Sequence, residues 1–218
     1  ACKHLAAGLK SLSRERIADE LLKLLATPAP YHAVQAMVED GIFDHFLPEL
    51  IPGAPERLSA LLARETTAML EADPYRRLLS LLPPDPALLD RVATRLKLSK
   101  RATRHLLDSA TLADISPENV RIGAYRYGID AIRNAALLYA SDSQWVACLA
   151  SLSGWTVPTF PLKGGALIAM GVGAGPDVAR LLRMIEQRWC ETGFVEGEDF
   201  EHLVQEILRK SGISLPPK

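Results

Sequence analysis

Apolar residues recur at helical spacing along most of the chain, and we find no segment that alternates apolar and polar positions as a half-buried strand would. The clearest example is the stripe formed by Ile17, Leu21, Leu24 and Leu25. Ser13 is the predicted N-cap of that helix, since its hydroxyl can accept a hydrogen bond from a first-turn N–H. The pattern predicts an all-α fold, an irregular array of packed helical hairpins without a sheet.

Caps and helix breakers divide the rest of the chain into further predicted helices. We expect Gly41 to end the second helix in a left-handed conformation. Asp73 and Ser99 are predicted N-caps of later helices. The other predicted elements are a short apolar plug at 42–50, a helix start at Ser116, a buried helix at 142–152, an amphipathic helix at 199–210 and a frayed tail at 211–218.

Proline-rich segments suggest a division into three domains. The best candidate for a boundary is Pro83–Pro86, because prolines and Asp-Pro pairs interrupt helices. The predicted domains are residues 1–82, 87–153 and 161–211. Residues 1–10 already have a helical pattern and no initiating methionine precedes them. We therefore expect a piece cut from a longer protein.

Five glycines crowd the segment 164–175, between two helical runs. Pro176 suits the first position of the second helix, where its missing N–H costs nothing. A glycine-rich turn before a helix leaves N–H groups free to contact phosphate, which makes Gly171, Gly173 and Gly175 candidate binding residues. The alternative is a tight helical corner that serves packing alone.

Composition limits the classes of function. At 218 residues and a formal net charge of −1, the chain can bury a substantial core but has no global field that attracts nucleic acid. Cys2, Cys148 and Cys190 lack CxxC spacing, which predicts reduced thiols and a cytoplasmic protein. The five histidines show no metal-binding spacing, so we expect no metal site. The uncharged run 143–162 is interrupted by glutamine, serines and prolines, so no membrane span is expected.

The densest basic cluster lies where one predicted helix ends and the next begins after Ser99. Its members are Arg91, Arg95, Lys97, Lys100, Arg101, Arg104 and His105. One interpretation is a solvated helix face, since arginine and lysine routinely cover exposed helices. The other is a phosphate-contacting surface, because cationic side chains add to the positive end of a helix.

Arginines alternate with tyrosines between Arg121 and Tyr139. Such residues can follow a ribose-phosphate chain and stack on bases. Tyrosines at this spacing also serve as core or boundary residues, and the sequence leaves both interpretations open.

Three segments together resemble the C-terminal, RNA-handling half of the bacterial tRNA nucleotidyltransferase (CCA-adding enzyme) and poly(A) polymerase family. They are LSRERIADELLKLL, MVEDGIFDHFLPEL and PLKGGALIAMGVGAGPDVARLLRMIEQRW. The resemblance implies that Ser13, Glu15 and Arg16 belong to a helical neck and have a structural role. The family usually has Gly-x-Asp-Leu-Ile before the glycine turn, and here Ala166 replaces the aspartate that would cap that short helix.

The resemblance also implies what this chain lacks. In this family two metal ions on a catalytic head domain promote nucleotidyl transfer. The head motifs, Gly-Ser with Asp-x-Asp, Arg-Arg-Asp and Glu-Asp-x-x-Arg, do not occur here. We expect no catalytic residue and no cofactor in this chain, with Mg²⁺ and CTP or ATP bound only by the head. The chain should be inactive alone.

The implied function is to position the acceptor and T-arm of tRNA for 3′-end addition. Expected partners are tRNA or another RNA 3′ end and the N-terminal head, with a homodimer as a further option. The candidate RNA contacts are Lys97, Lys100, Arg101, Arg104, Lys163, Gly171, Gly173, Gly175, Arg180 and Arg183. An alternative is a packing or dimerisation scaffold with little RNA affinity. A hairpin-type DNA binder rests only on Gly171–Gly173, and Ala179 comes too late for that motif.

Overall fold

The computed structural model describes residues 8–9 and 12–213, and the regular structure in these ranges is helical throughout. The predicted all-α fold is confirmed. The α-helices are α1 Arg14–Ala26, α2 Tyr31–Glu39, α3 Ala54–Thr67, α4 Pro74–Ser80, α5 Pro86–Arg95, α6 Lys100–Thr111, α7 Val120–Tyr127, α8 Ile129–Tyr139, α9 Trp145–Leu152, α10 Gly164–Ala169, α11 Pro176–Glu191 and α12 Gly197–Lys210. Most of the predicted helical pattern at 1–10, and the tail from 214 onward, lie outside the described residues.

The chain divides into two compact units, residues 1–155 and residues 156–218. The first contains α1–α9 and the second contains α10–α12. The apolar core of the first unit continues across Pro83–Pro86, with Leu79 and Leu82 on one side and Leu89 and Val92 on the other. The division into domains 1–82, 87–153 and 161–211 stays a prediction.

Short polar residues begin several helices as predicted. Ser13 accepts a hydrogen bond from the N–H of Arg16 (3.3 Å), and Ser99 accepts one from Ala102 (3.2 Å). Asp73 accepts from Tyr75 and Arg76. Each cap satisfies first-turn donors that have no partner within the helix.

Helix ends and loops follow their local chemistry. Gly41 adopts φ +66°, the predicted left-handed conformation. The plug contains a short 3₁₀ turn, Phe43–His45, and buries Phe43, Phe46 and Leu47. The predicted start at Ser116 is wrong by one turn, because residues 117–119 form a turn and α7 begins at Val120.

Helix α9 differs from the predicted buried helix. It begins at Trp145 instead of residue 142, and Val146 is 56% exposed. Cys148 and Leu152 are its buried positions. Only one face of α9 is therefore buried, although the helix carries no charged residue. That face packs into an apolar cluster shared with α7 and α8.

Helix α4 lies inside the first unit, where it packs against α1, α3, α6 and α8. Five consecutive residues, Arg76–Ser80, are buried on this short helix. A second apolar cluster joins α7, α8 and α9 around Ile132. In the second unit, α11 packs against α10 and α12, and Trp189 forms an aromatic cluster with Phe160, Phe194 and Phe200.

The contact between α7 and α8 depends on the small size of Gly123. A Cβ atom at this position would lie 2.7 Å from Leu112 Cδ2 and 2.9 Å from Ile132 Cδ1. We expect Gly123→Ala to destabilise the protein by about 1 kcal/mol in urea unfolding. Overpacking costs about 1–3 kcal/mol, and the higher helix propensity of alanine offsets about 1 kcal/mol of that cost.

Gly165→Ala is the matched control for this substitution. Gly165 also lies in a helix, but a Cβ atom added there would meet open space within 4 Å. We expect this variant to be unchanged or up to about 1 kcal/mol more stable. Equal behaviour of the two variants would contradict the close-packing argument.

Candidate nucleic-acid interface

The predicted basic cluster lies at the corner between α5 and α6. Lys97 adopts φ +52°, which turns the chain sharply before Ser99 begins α6. A non-glycine residue in this conformation is uncommon and marks a tight turn. The corner predicted from the sequence is therefore present.

Most cations of this cluster are already paired. Lys97 Nζ lies 2.7 Å from Glu15 Oε1, and Arg104 Nε lies 2.8 Å from Asp108 Oδ2. Arg95 forms a two-pronged ion pair with Glu49. Lys100 and Arg101 are exposed and form no ion pair within the described part of the chain. Lys100 and Arg101 at the start of α6 are thus available, and the exposed Arg91 on α5 likewise forms no ion pair within the described residues.

The neck residues connect α1 to this corner. Glu15 lies in the first turn of α1, and the hydrogen bond from Lys97 holds its pKa below the ordinary value. Ser13 caps the same turn. Arg16 lines an apolar groove of about 250 Å³ on α1, together with Leu21.

The glycine-rich corner of the second unit is exposed, except for Val172. Gly171 has φ +97° and Gly175 has φ +150°, ψ −161°, a conformation open essentially only to glycine. Pro176 is the first residue of α11, as predicted. Gly173 is exposed, and a Cβ atom added to it would meet open space.

Residue 166 lies inside α10 and does not occupy its N-cap position. Helix α10 begins after Lys163, which occupies the N-cap position without a side-chain hydrogen bond. Ala166 is therefore the third residue of the helix, where an aspartate would act on the helix dipole instead of as the N-cap.

The cations of the second unit differ in their pairing. Arg180 Nη2 lies 2.9 Å from Asp177 Oδ1 on the preceding turn. Lys163 and Arg183 are exposed, and among residues 156–213 no ion pair involves either of them. The geometry thus leaves Lys163 and Arg183 as the available cations of this unit's candidate set.

The arginine–tyrosine segment is mainly structural. Burial raises the pKa of Tyr139 to about 12. Arg121 donates to the Ser151 carbonyl and lies over the Trp155 ring at 5.8 Å. Tyr127 packs against the second apolar cluster. The core interpretation therefore holds for Tyr139 and Tyr127.

Sequence patterns did not reveal a buried charge network at the centre of the first unit. Glu65 is 3% exposed and receives Arg76 Nε at 2.7 Å on one oxygen. Its other oxygen receives Arg77 Nη2 at 2.7 Å. Two adjacent arginines on a helix ordinarily indicate a solvent-exposed face. Here the buried Glu65 opposite them explains why they are buried.

The two guanidinium groups also bind backbone and side-chain oxygens on other elements. Arg77 Nη1 donates to the carbonyls of Leu25 and Thr27 at 2.7 Å each, at the C-terminal end of α1. Arg76 Nη1 donates to Asn134 Oδ1 on α8 at 3.1 Å. The network thereby connects α1, α3, α4 and α8.

Asp73 extends this network towards the surface. Its Oδ2 atom lies 3.3 Å from Asn134 Nδ2 and 3.4 Å from His105 Nε2. Burial would raise the pKa of Asp73, yet hydrogen bonds from His105 and the Arg76 N–H, with the Arg76 charge, lower it to about 2. Asp73 is consequently an anion at neutral pH.

Comparison with known proteins gives one family match. The model described as "Probable RNA and SrmB- binding site of polymerase A" matches residues 1–53. This segment, about a quarter of the chain, is therefore related to an RNA-binding region of polymerase A-like enzymes. No curated protein matches the chain. No helix in the described ranges is long and apolar enough to span a bilayer.

The Glu65 network generates a stability prediction. Glu65→Gln removes the charge that compensates two buried guanidinium groups, and breaking such a network costs about 3–5 kcal/mol. We expect urea unfolding to show this loss. Glu20→Gln is the control, since Glu20 forms an exposed pair with Lys23 and should change stability by about 0.5 kcal/mol or less. Similar small effects for both variants would contradict the central role of Glu65.

The pKa of Asp73 generates a pH prediction. Because the folded-state pKa of about 2 lies below the ordinary value of 3.8, ionised Asp73 stabilises the fold above pH 4 and loses this effect as the pH falls towards 2. The difference in Tm between wild type and Asp73→Asn should therefore narrow between pH 4 and pH 2. A constant difference would contradict the prediction. Asp85→Asn is the control for changing an N-cap aspartate, because Asp85 accepts two backbone hydrogen bonds in the same way as Asp73.

Proposed function

We propose that this chain is the RNA-binding C-terminal region of a tRNA nucleotidyltransferase or poly(A) polymerase. In this proposal it positions the acceptor and T-arm of tRNA, or another RNA 3′ end, for nucleotide addition by a catalytic head of the same enzyme. The observation that carries the proposal is the match of residues 1–53 to an RNA-binding region of polymerase A.

Available positive charge supports binding to the RNA backbone. Lys100 and Arg101 in the first unit, and Lys163 and Arg183 in the second, are exposed and form no ion pair within the described ranges. Such side chains bind phosphates independently of sequence. Lys97, Arg104 and Arg180 would first have to leave Glu15, Asp108 and Asp177.

The segment that matches the RNA-binding family is connected to this positive charge. Glu15 lies on α1 within the matched residues and forms an exposed ion pair with Lys97 at the α5–α6 corner. The matched segment therefore contacts the cationic corner, which supports the proposal.

Chemistry is assigned to the head in this proposal. Within residues 8–9 and 12–213 no group of three or more His, Cys, Asp and Glu side chains is placed to hold a metal ion. Mg²⁺ and the nucleotide would be bound by residues of the head.

Salt dependence tests the proposal. If roughly four cations contact phosphates, log affinity for tRNA should fall with log salt with a slope of about 0.7–0.9 per contact. Arg101→Glu should weaken binding and reduce the slope by about 1, because it removes one phosphate contact. Fluorescence anisotropy with labelled tRNA at several salt concentrations measures both quantities.

Lys210→Glu is the matched control for charge reversal. Lys210 is exposed, pairs with Glu206 and is outside the candidate set. The Lys210→Glu variant should leave the salt slope unchanged, and its effect on affinity reports the change in net charge alone. No tRNA binding at low salt, or equal effects of the two reversals, would favour the scaffold function.

A further inference from the structure

A polar pocket opens beside the candidate cations of the first unit. Its volume is about 380 Å³. Helices α4, α6 and α8 contribute to its wall, together with the caps that precede two of them. The lining residues are Asp73, Tyr75, Ser99, Arg101, Ala102 and His105, with Asp130 at the start of α8.

The inner wall of this pocket is held in place by the buried network. Asn134 donates to Asp73 and lies 3.0 Å from His105 Nε2, while its carbonyl oxygen accepts from Arg76. Asp73 in turn caps α4. The His105 ring is therefore fixed between α4 and α8. The negative charge of its neighbour Asp73 is compensated by Arg76.

Tyr75 and His105 supply an aromatic surface. Their ring centroids are 6.3 Å apart and the planes are inclined by 81°. Both side chains are only partly buried, so part of each ring remains open to the pocket. Partly exposed aromatic rings are the side chains on which nucleobases stack.

The outer wall carries charges of both signs. Arg101 is exposed and has no ion pair within the described ranges. The Asp130 side chain is 81% exposed, and only its Oδ1 accepts a hydrogen bond, from Arg133 at 2.9 Å, among the described residues. The pocket thus combines an available cation, an available carboxylate oxygen and an aromatic surface.

We propose that this pocket binds one nucleotide of an RNA chain and distinguishes ribose from deoxyribose. Arg101 binds the phosphate, Asp130 accepts a hydrogen bond from the ribose 2′-hydroxyl, and Tyr75 with His105 contacts the base. The 2′-hydroxyl is the group by which a protein distinguishes RNA from DNA at a given position. This inference rests on the proposed RNA-binding function and assigns it a specific site.

The test compares an oligouridylate of about 12 nucleotides, a length within the range that single-strand sites cover, with its 2′-deoxy counterpart. Wild-type protein should bind the ribo-oligonucleotide more tightly in fluorescence anisotropy. Asp130→Asn should lower the ratio of ribo- to deoxy-oligonucleotide affinity about tenfold, the effect of one hydrogen bond to a charged group. Loss of the negative charge alone would strengthen binding of both oligonucleotides and leave this ratio unchanged.

Two variants separate the pocket from general effects. Glu20→Gln also removes an acidic partner from an exposed pair and should keep the wild-type preference for ribose. Asp130→Ala provides a second test of the same position, because alanine has no side-chain acceptor and a high helix propensity. Thermal unfolding checks that each variant is folded.

The outcomes distinguish this inference from the proposed function. If wild type binds tRNA but both Asp130 variants keep its ribose preference, the pocket assignment is overturned while RNA binding stands. If wild type binds neither tRNA nor the ribo-oligonucleotide at low salt, both are overturned. Selective loss of ribose preference in both Asp130 variants supports the pocket.

Discussion

The first unit depends on one carboxylate that is shared by two buried arginines. Glu65 receives both guanidinium groups, and Arg77 also binds the free carbonyls at the end of α1. Desolvating these charges is costly, so the network contributes less net stability than its short distances suggest. Its stronger effect is on arrangement, because any packing that separates these helices would leave a buried charge without a partner.

This constraint reaches the surface where function is proposed. Asp73 balances the positive charge of the network, caps α4 and fixes His105 on α6 with the help of Asn134. Helix α6 also carries Arg101 at its exposed start. The candidate binding surface is therefore fixed by the same contacts that hold the core together, which limits the reorganisation needed to bind a ligand.

Pairing, more than the number of basic residues, decides which cations can contact RNA. Lys97 and Arg104 are as basic as Arg101 in the sequence, yet Glu15 and Asp108 neutralise them in the folded chain. Glu15 is 82 residues from Lys97, so no local pattern could indicate that pair. Arg104 and Asp108 are four residues apart, and that pair was open to prediction from helical spacing.

Local chemistry in the sequence determined the helical fold, most helix starts and the sharp glycine turns. Ser13, Asp73, Ser99 and Pro176 act within one turn of the backbone, so neighbouring residues suffice to predict them. Only the tertiary structure decided that Arg76 and Arg77 are buried, which cations remain available and that Asp73 and His105 share a pocket with Asp130. These properties depend on partners distant in the chain, since burial and charge compensation arise from packing between helices.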